Sequence, residues 1–286
     1  MDFSDISIRL IKRTFKLRFS LAGLCRRVAP VASMADRLFF EGDDIQVLPR
    51  DSTVKPSKIM KLEKINVNTS IPVMEDSVLP SDVLKEMIRR SSHHFLMNSC
   101  ICRVSNDCKD YPHDLGCLFL GRGTKRISTK LGRMVSKEEA IKHVEQCQEA
   151  GLVHIIGRNK IDSVWMNTGP KEDLLSICNC CPCCCLWKMA KELPENIGSS
   201  LTPMAGVEVE FNPEICTGCG SCTEDICFVD AIHIHDGKAV VDADKCRVCG
   251  RCAETCNKDA LSVKMSVDAV ERSIKRVARL VDVESS

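Results

Sequence analysis

Cysteine is the residue type in this sequence with the most potential for chemistry. The chain has 20 cysteines among 286 residues. A chain of this length can bury a large core, so it does not need a disulfide scaffold to fold. The basic N-terminus is a poor secretory signal because its early uncharged stretch, from Phe19 to Cys25, is interrupted by arginines. We therefore expect a cytoplasmic protein whose thiols are metal ligands.

Two near-repeats carry the most informative cysteine spacing. In each, three cysteines recur at every third position and a fourth follows a few residues later. A zinc site would instead use paired cysteine hooks with four thiolates for each ion, so the pattern favours iron–sulfur clusters. The repeats contain Cys216, Cys219, Cys222 and Cys227, and then Cys246, Cys249, Cys252 and Cys256.

Residues 206–265, which hold these repeats, resemble a bacterial dicluster ferredoxin. The resemblance implies two [4Fe–4S] clusters, with the fourth cysteine of each repeat crossing to the other cluster. One cluster would then be held by Cys216, Cys219, Cys222 and Cys256, and the second by Cys246, Cys249, Cys252 and Cys227.

The sequence departs from the ferredoxin pattern at two points. Four residues, rather than the usual three, separate Cys222 from Cys227. Phe228 and Asn257 stand where the family usually has proline after the fourth cysteine. We expect the extra residue to bulge the loop without moving the cluster. Gly218, Gly220 and Gly250 should let the backbone turn tightly around each site.

A second group of ten cysteines lies upstream, and with the ferredoxin repeats it resembles a poorly described group of anaerobic multi-cluster proteins over roughly residues 80–265. This resemblance and the supply of thiols predict at least one further iron–sulfur cluster, while zinc stays open as a rival. We expect Arg103 and Lys109 to offset the charge of the thiolates. In the Cys178–Cys185 run, Cys181, Cys184 or Cys185 could pack as small apolar residues while others ligate. The candidate ligands are Cys100, Cys102, Cys108, Cys117, Cys178, Cys180, Cys181 and Cys183.

Periodicity and the ferredoxin resemblance together predict an α+β fold: a Cys-rich α/β domain with a helix–β-hairpin segment, followed by the domain that the resemblance implies is ferredoxin-like. One helix should start after Ser81, and a second at the Ser136 capping box. A strand from Leu152 to Ile156 should turn back into a return strand at 164–166. We divide the chain into residues 1–80 (basic arm, strands and loops), 81–200 (Cys-rich domain, ending in a linker at 194–200), 206–265 (ferredoxin domain) and 266–286 (C-terminal helix).

Charge is balanced overall but uneven along the chain. The net charge is +1, which gives no global field for nucleic acid, and we expect no nucleic-acid partner. Residues 6–35 contain no acidic residue, and seven Lys/Arg lie between Arg9 and Arg27. A basic amphipathic helix over residues 6–28 would permit peripheral membrane contact. A solvated arm or a segment packed on the protein is the alternative.

These features predict an electron-transfer protein that relays single electrons through its clusters to or from a redox partner protein. Two alternatives stay open. The chain could be an oxidoreductase, or the electron-transfer subunit of one, with a substrate-accessible upstream cluster. It could also be an iron–sulfur redox sensor whose helix–hairpin segment contacts DNA, although no base-reading helix is evident.

Overall fold

The computed structural model describes residues 3–55 and 78–285, with side chains from residue 6 onward. Helices and sheets are both present, so the predicted α+β class is confirmed. The part of the strand and loop prediction that falls on residues 56–77 lies outside the described residues.

A seven-stranded mixed sheet organises the upstream part of the chain. The strands are β1 (Asp44–Val47), β2 (His94–Met97), β3 (Leu118–Leu120), β4 (Gly132–Met134), β5 (Val153–Arg158), β6 (Leu175–Cys180) and β7 (Leu201–Pro203). Their order across the sheet is β4-β2-β3-β6-β5-β1-β7, and neighbours run antiparallel except for β1 and β7. The sequence alternates in these strands between residues facing one layer and residues facing the other.

Helices cover both faces of this sheet and connect its strands. Short 3₁₀ helices also span Phe15–Leu17, Asp51–Thr53, Arg122–Arg126, Lys171–Asp173 and Leu186–Glu192, and a π-helix spans Asp36–Phe40. The α-helices are α1 (Phe3–Thr14), α2 (Arg18–Arg27), α3 (Ala29–Ala35), α4 (Asp82–Arg90), α5 (Ile101–Ser105), α6 (Lys137–Glu149), α7 (Lys160–Met166), α8 (Glu195–Gly198), α9 (Arg251–Glu254) and α10 (Ala269–Ala278).

One face of the sheet packs against α4, α6 and α10, which are the helices predicted after Ser81, at Ser136 and at the C-terminus. Helix α4 buries the apolar stripe expected from its sequence. Ser136 is the N-cap of helix α6, and its side chain accepts the N–H of Glu139 at 3.2 Å; the helix ends before Gly151, which has φ +76°. This capping satisfies amide groups that a helix end otherwise leaves unpaired. Leu118, Ile156 and Ile177 complete the core on this side.

The opposite face carries α1, α5 and α7. Phe95, Met97 and Phe119 from β2 and β3 pack there against Ile8 of α1 and Ile101 of α5. Strand alternation therefore sends Phe119 to this face while its neighbours Leu118 and Leu120 go to the other. Seven of the upstream cysteines line a cavity on this second face.

The predicted β-hairpin after α6 is wrong. Strand β5 forms as expected, but the chain then enters α7 instead of returning as a strand. The reason is that β5 already pairs with β1 on one side and β6 on the other, so no edge is left for a hairpin partner. Gly157 lies within β5 rather than in a turn, and a Cβ there would meet the Asp44 carbonyl oxygen at 2.1 Å. The alternative of a redox sensor whose helix–hairpin segment contacts DNA therefore loses its structural basis, because this segment does not form a hairpin.

The predicted linker at 194–200 is instead a packed segment. It forms α8, in which Ile197 is only 1% exposed. The chain continues directly into β7 beside β1.

The C-terminal part adds two small sheets. Strand β8 (Val207–Phe211) pairs with β11 (Leu261–Met265), and β9 (Ile232–His235) pairs with β10 (Lys238–Val241). Asp236 and Gly237 have φ of +48° and +70° and form the hairpin turn between β9 and β10, as an Asp-Gly pair favours. Val54 bridges Val263, and one hydrophobic core contains residues of β11, α10 and the upstream sheet. The proposed domain boundaries stay a prediction.

Candidate metal centres

Four cysteines line a cavity near the surface of the C-terminal part; we call them the first set. Gly218 has φ +66°, and a Cβ there would meet the Gly237 carbonyl oxygen at 2.2 Å, so the tight turn requires glycine. Cys219 is exposed, and Ser221 lies 3.3 Å from its sulfur and lowers the pKa of that thiol by hydrogen bonding. The first set is Cys216, Cys219, Cys222 and Cys256.

A second cavity beside it is lined by the four cysteines that we call the second set. Backbone N–H groups point at its sulfurs, from Ala231 to Cys227 at 3.2 Å and from Val248 to Cys246 at 3.3 Å. Such donors stabilise thiolates that hold a cluster. Burial raises the pKa of Cys249 to about 11, so an unmetallated thiol here stays protonated. The second set is Cys227, Cys246, Cys249 and Cys252.

The two sets therefore group the same residues that the ferredoxin resemblance assigns to two clusters. The fourth cysteine of each repeat lies with the other repeat's first three, and the sets adjoin through a shared apolar cluster that includes Cys222, Cys227, Cys252 and Cys256. The donor sets and the N–H···S contacts fit iron–sulfur ligation. That these cysteines bind clusters stays a prediction.

Phe228, one of the departures from the ferredoxin pattern, has a packing role. Its side chain is 6% exposed and lies in one hydrophobic cluster with Ile45, Trp187 and Leu201 of the upstream part. A proline at this position could not reach as far into that core. Phe228, which stands where the family usually has proline, thus packs the loop after Cys227 against the sheet.

The upstream cysteines do not form a single group. Seven of them line a cavity on the second face of the sheet, which we call the upstream pocket; six belong to it alone, and Cys181 also belongs to a further group. Cys178 and Cys180 reach it together because residues two apart in a strand share a face. The six are Cys100, Cys102, Cys117, Cys178, Cys180 and Cys185.

The sulfurs in the upstream pocket are close together. The Sγ atoms of Cys180 and Cys185 are 3.1 Å apart, and those of Cys117 and Cys178 are 3.9 Å apart. Hydrogen bonding from Cys178 and Cys185 lowers the pKa of Cys180 well below its usual value. Thiolates this close are stable only where positive charge compensates them. The donor set therefore fits a thiolate-ligated metal cluster.

Arg103 supplies part of that compensation from beneath the pocket. It is fully buried and donates to the backbone carbonyls of Asn179, at 2.8 Å, and Leu115. Burial alone would lower its pKa, but the neighbouring thiols, Cys100 foremost, outweigh this and raise it. Lys109, the other predicted counter-charge, is instead exposed and paired with Asp107 at 2.6 Å.

Asn179, between two pocket cysteines, faces the opposite side of β6. Its side chain bonds His154 Nδ1 at 2.8 Å and donates to the Gly116 carbonyl oxygen at 2.9 Å. Burial lowers the pKa of His154 to about 4, so the ring is neutral. These bonds fix the strand that presents Cys178 and Cys180.

Arg251 was not singled out from the sequence and lies between the two cysteine regions. It is 5% exposed, sits between Cys249 and Cys252 in the chain, and donates to the backbone carbonyls of Cys180 and, at 3.4 Å, Gly151. An arginine inside the spacer of a cysteine repeat is the one signal that could have drawn attention to it. It ties the second set to the upstream pocket.

The remaining upstream cysteines gather beside the pocket, and Cys181 belongs to both places. Cys108, Cys181, Cys183 and Cys184, which we call the compact group, have sulfurs that all lie within 4.8 Å of one another. The predicted upstream ligands are thus divided: Cys108 and Cys183 lie here rather than with the other five, and Cys181 lies at both places. Cys184 and Cys185 were candidates for apolar packing. Cys184 belongs to the compact group, and Cys185 belongs to the upstream pocket. Cys25 and Cys147 belong to none of these sets.

The N-terminal helices cover the outer side of the upstream pocket. Phe15 and Ala22 pack with Cys102 and Leu186, and burial lowers the pKa of Arg18 while the nearby thiols of Cys102 and Cys185 act to raise it. The opposite faces of α1 and α2 expose large apolar side chains among the basic residues, including Leu10 at 60% and Leu21 at 51%. None of the described helices is long and apolar enough to cross a membrane.

Comparison with known proteins supports the iron–sulfur interpretation over part of the chain. A segment of 61 residues, 21% of this chain, is 38% identical to an uncharacterized ferredoxin of Methanocaldococcus jannaschii. The match spans 40% of that ferredoxin's length. No protein-family model matches the chain, and no solved structure matches it.

Proposed function

We propose that this protein is an iron–sulfur electron carrier with three cluster sites: two [4Fe–4S] clusters in the first and second sets, and one in the upstream pocket. The observation that supports this most directly is the crossing of Cys227 and Cys256, which groups the two repeats as a dicluster ferredoxin requires. The similarity to a ferredoxin supports the same function. Bound clusters supply one-electron redox chemistry; the protein positions and insulates them.

The three sites follow one another in space. The first and second sets share an apolar cluster, and the second set shares another with Cys178, Cys180 and Cys185 of the upstream pocket. Arg251 bonds across the junction between the second set and the pocket. This order makes the chain suited to relay electrons between its surface and its interior.

The redox partner is proposed to dock at the first set. Cys219 is exposed there, whereas the upstream pocket lies beneath α1 and α2. Residues 206–265 hold 6 Lys/Arg against 11 Asp/Glu, so a basic partner surface would be complementary. Its association should slow as salt is raised, because exposed charges are then screened.

The test is metal analysis of the full chain purified without oxygen. We expect about twelve iron and about twelve acid-labile sulfide per chain, and EPR signals of reduced [4Fe–4S] clusters that interact magnetically. One-electron reduction and reoxidation should be reversible. A count of about eight iron, with EPR signals from both ferredoxin clusters, would contradict only the proposed cluster in the upstream pocket. Iron without sulfide would contradict the proposed electron-carrier function.

The membrane contact expected for residues 6–28 is also a proposal. Exposed leucines among basic residues on α1 and α2 support binding to anionic lipid. Leu10→Ser with Leu21→Ser should reduce binding to phosphatidylglycerol vesicles about tenfold, and Val240→Ser, an exposed apolar position elsewhere, should not. Equal binding to phosphatidylcholine, or no loss in the double variant, would contradict the proposal.

A further inference from the structure

The compact group has a geometry unlike that of the other cysteine sets. Its sulfurs are 3.5 Å apart between Cys108 and Cys183, and 3.6 Å apart between Cys183 and Cys184. All four sulfurs lie within 4.8 Å of one another. Among residues 6–55 and 78–285, the first set, the second set and the upstream pocket contain no three thiols gathered this tightly.

This spacing fits a single ion. In a tetrahedral site with zinc–sulfur bonds of about 2.3 Å, neighbouring sulfurs are about 3.8 Å apart. A [4Fe–4S] cluster holds each thiolate on a separate iron, with sulfide between, and so needs its four sulfurs farther apart. The compact group has room for one metal ion but not for a cubane, whereas in the upstream pocket only pairs of sulfurs are this close, so a cluster there could take its ligands from different pairs.

The surroundings of the four sulfurs fit a closed structural site. Cys181 and Cys184 are 2% and 5% exposed and pack with Leu152 and Tyr111. The backbone N–H of Cys184 points at the Cys181 sulfur at 3.3 Å, as in a metal hook where amides stabilise a thiolate. Four thiolates leave no position for water or substrate, which is the arrangement of structural rather than catalytic zinc.

We infer that Cys108, Cys181, Cys183 and Cys184 bind one Zn²⁺ ion that has a structural role. The ion would join the loop after α5 to the turn after β6. That turn lies between Cys180, the last residue of β6, and Cys185, which both line the upstream pocket. Zinc here would therefore fix the positions of two thiols that belong to a different site. The inference does not depend on the proposed cluster in that pocket.

The test measures zinc and iron together in the full chain, purified without oxygen and without added zinc. We expect about one zinc per chain, with an all-sulfur first shell in zinc X-ray absorption. Cys108→Ser should lower zinc occupancy at least fivefold and leave the EPR signals of the ferredoxin clusters unchanged. Cys147→Ala, in the same buried cluster but outside the group, is the matched control and should keep its zinc.

Measurements on the unaltered chain keep the test valid if Cys108→Ser fails to fold. Growth with Co²⁺ should give the absorption of a tetrahedral cobalt–thiolate centre. Absence of zinc, or zinc with nitrogen or oxygen ligands, would overturn the inference, as would iron bound at these four cysteines. Each of those results leaves the iron and sulfide count of the other sites, and so the proposed carrier function, to be judged separately.

Discussion

The C-terminal and upstream regions both collect thiols, but they do so in different ways. In the C-terminal region, short loops with fixed spacing gather the first and second sets, and positive-φ glycines such as Gly218 shape each loop. In the upstream region, Cys100 and Cys178 are far apart in sequence and meet because the sheet brings β6 beside the chain around β2 and β3. The contrast separates sites encoded by local spacing from sites encoded by the fold.

The largest effect should come from breaking the crossing between the two repeats. Cys256→Ala is expected to remove the cluster of the first set, with a loss of about four iron and four sulfide per chain, because that set keeps only three thiols. The second-set cluster, whose ligands include the cysteines nearest to Cys256 in sequence, should remain bound. Iron analysis and EPR check this, with Cys25→Ala as the control. Loss of the second-set cluster instead would show that the ligands do not cross.

Exposure to air should sharpen the comparison between surface and sheet sites. Cys219 is exposed, whereas the upstream pocket lies beneath the N-terminal helices. We expect oxygen to bleach the first-set signal several-fold faster than the pocket signal, because solvent-accessible thiolates and sulfide oxidise first. Timed EPR after air addition measures both rates. Equal rates would mean that α1 and α2 do not shield the pocket.

The junction between the regions can be weakened at Arg251. Arg251→Met removes the donors to the Cys180 and Gly151 carbonyls and should cost about 2 kcal/mol of unfolding free energy, since buried acceptors then lack partners. Losing a positive charge beside Cys249 and Cys252 should also make reduction of the second-set cluster harder. Chemical unfolding and a redox titration test both effects. Arg279→Met, at an exposed position, should change neither.

The smallest effect concerns the sheet alone. Burial raises the pKa of Asp43 to about 7, and its carboxylate accepts the Lys160 N–H at 2.7 Å. The folded pKa exceeds the unfolded one, so stability falls as pH rises from about 4 to about 7. Asp43→Asn should stabilise the protein by about 1–2 kcal/mol at pH 8, and by less at pH 5. Unfolding curves at both pH values check this; a gain that grows toward pH 5 would contradict it.

The sequence was informative where chemistry depends on neighbours in the chain. The capping box at Ser136 and the turn at Asp236-Gly237 could be predicted from local spacing, and the grouping of the two repeats from their resemblance to a dicluster ferredoxin. The division of the upstream thiols could not, because it depends on which face of β6 each residue occupies and on where the chain turns after Cys180. The prediction of a hairpin after α6 was wrong for a related reason: only the order of the strands in the sheet shows that both edges of β5 are already paired.

Phe228 and Trp187 share one buried core, and this has a kinetic consequence. Carriers whose domains are joined by a flexible tether wait for diffusion to bring their centres together, so solvent viscosity slows them. In this chain the distance from the second set to the upstream pocket is set by packed side chains. Internal electron exchange should therefore proceed at the same rate in glycerol as in water, and only the encounter with an outside partner should slow.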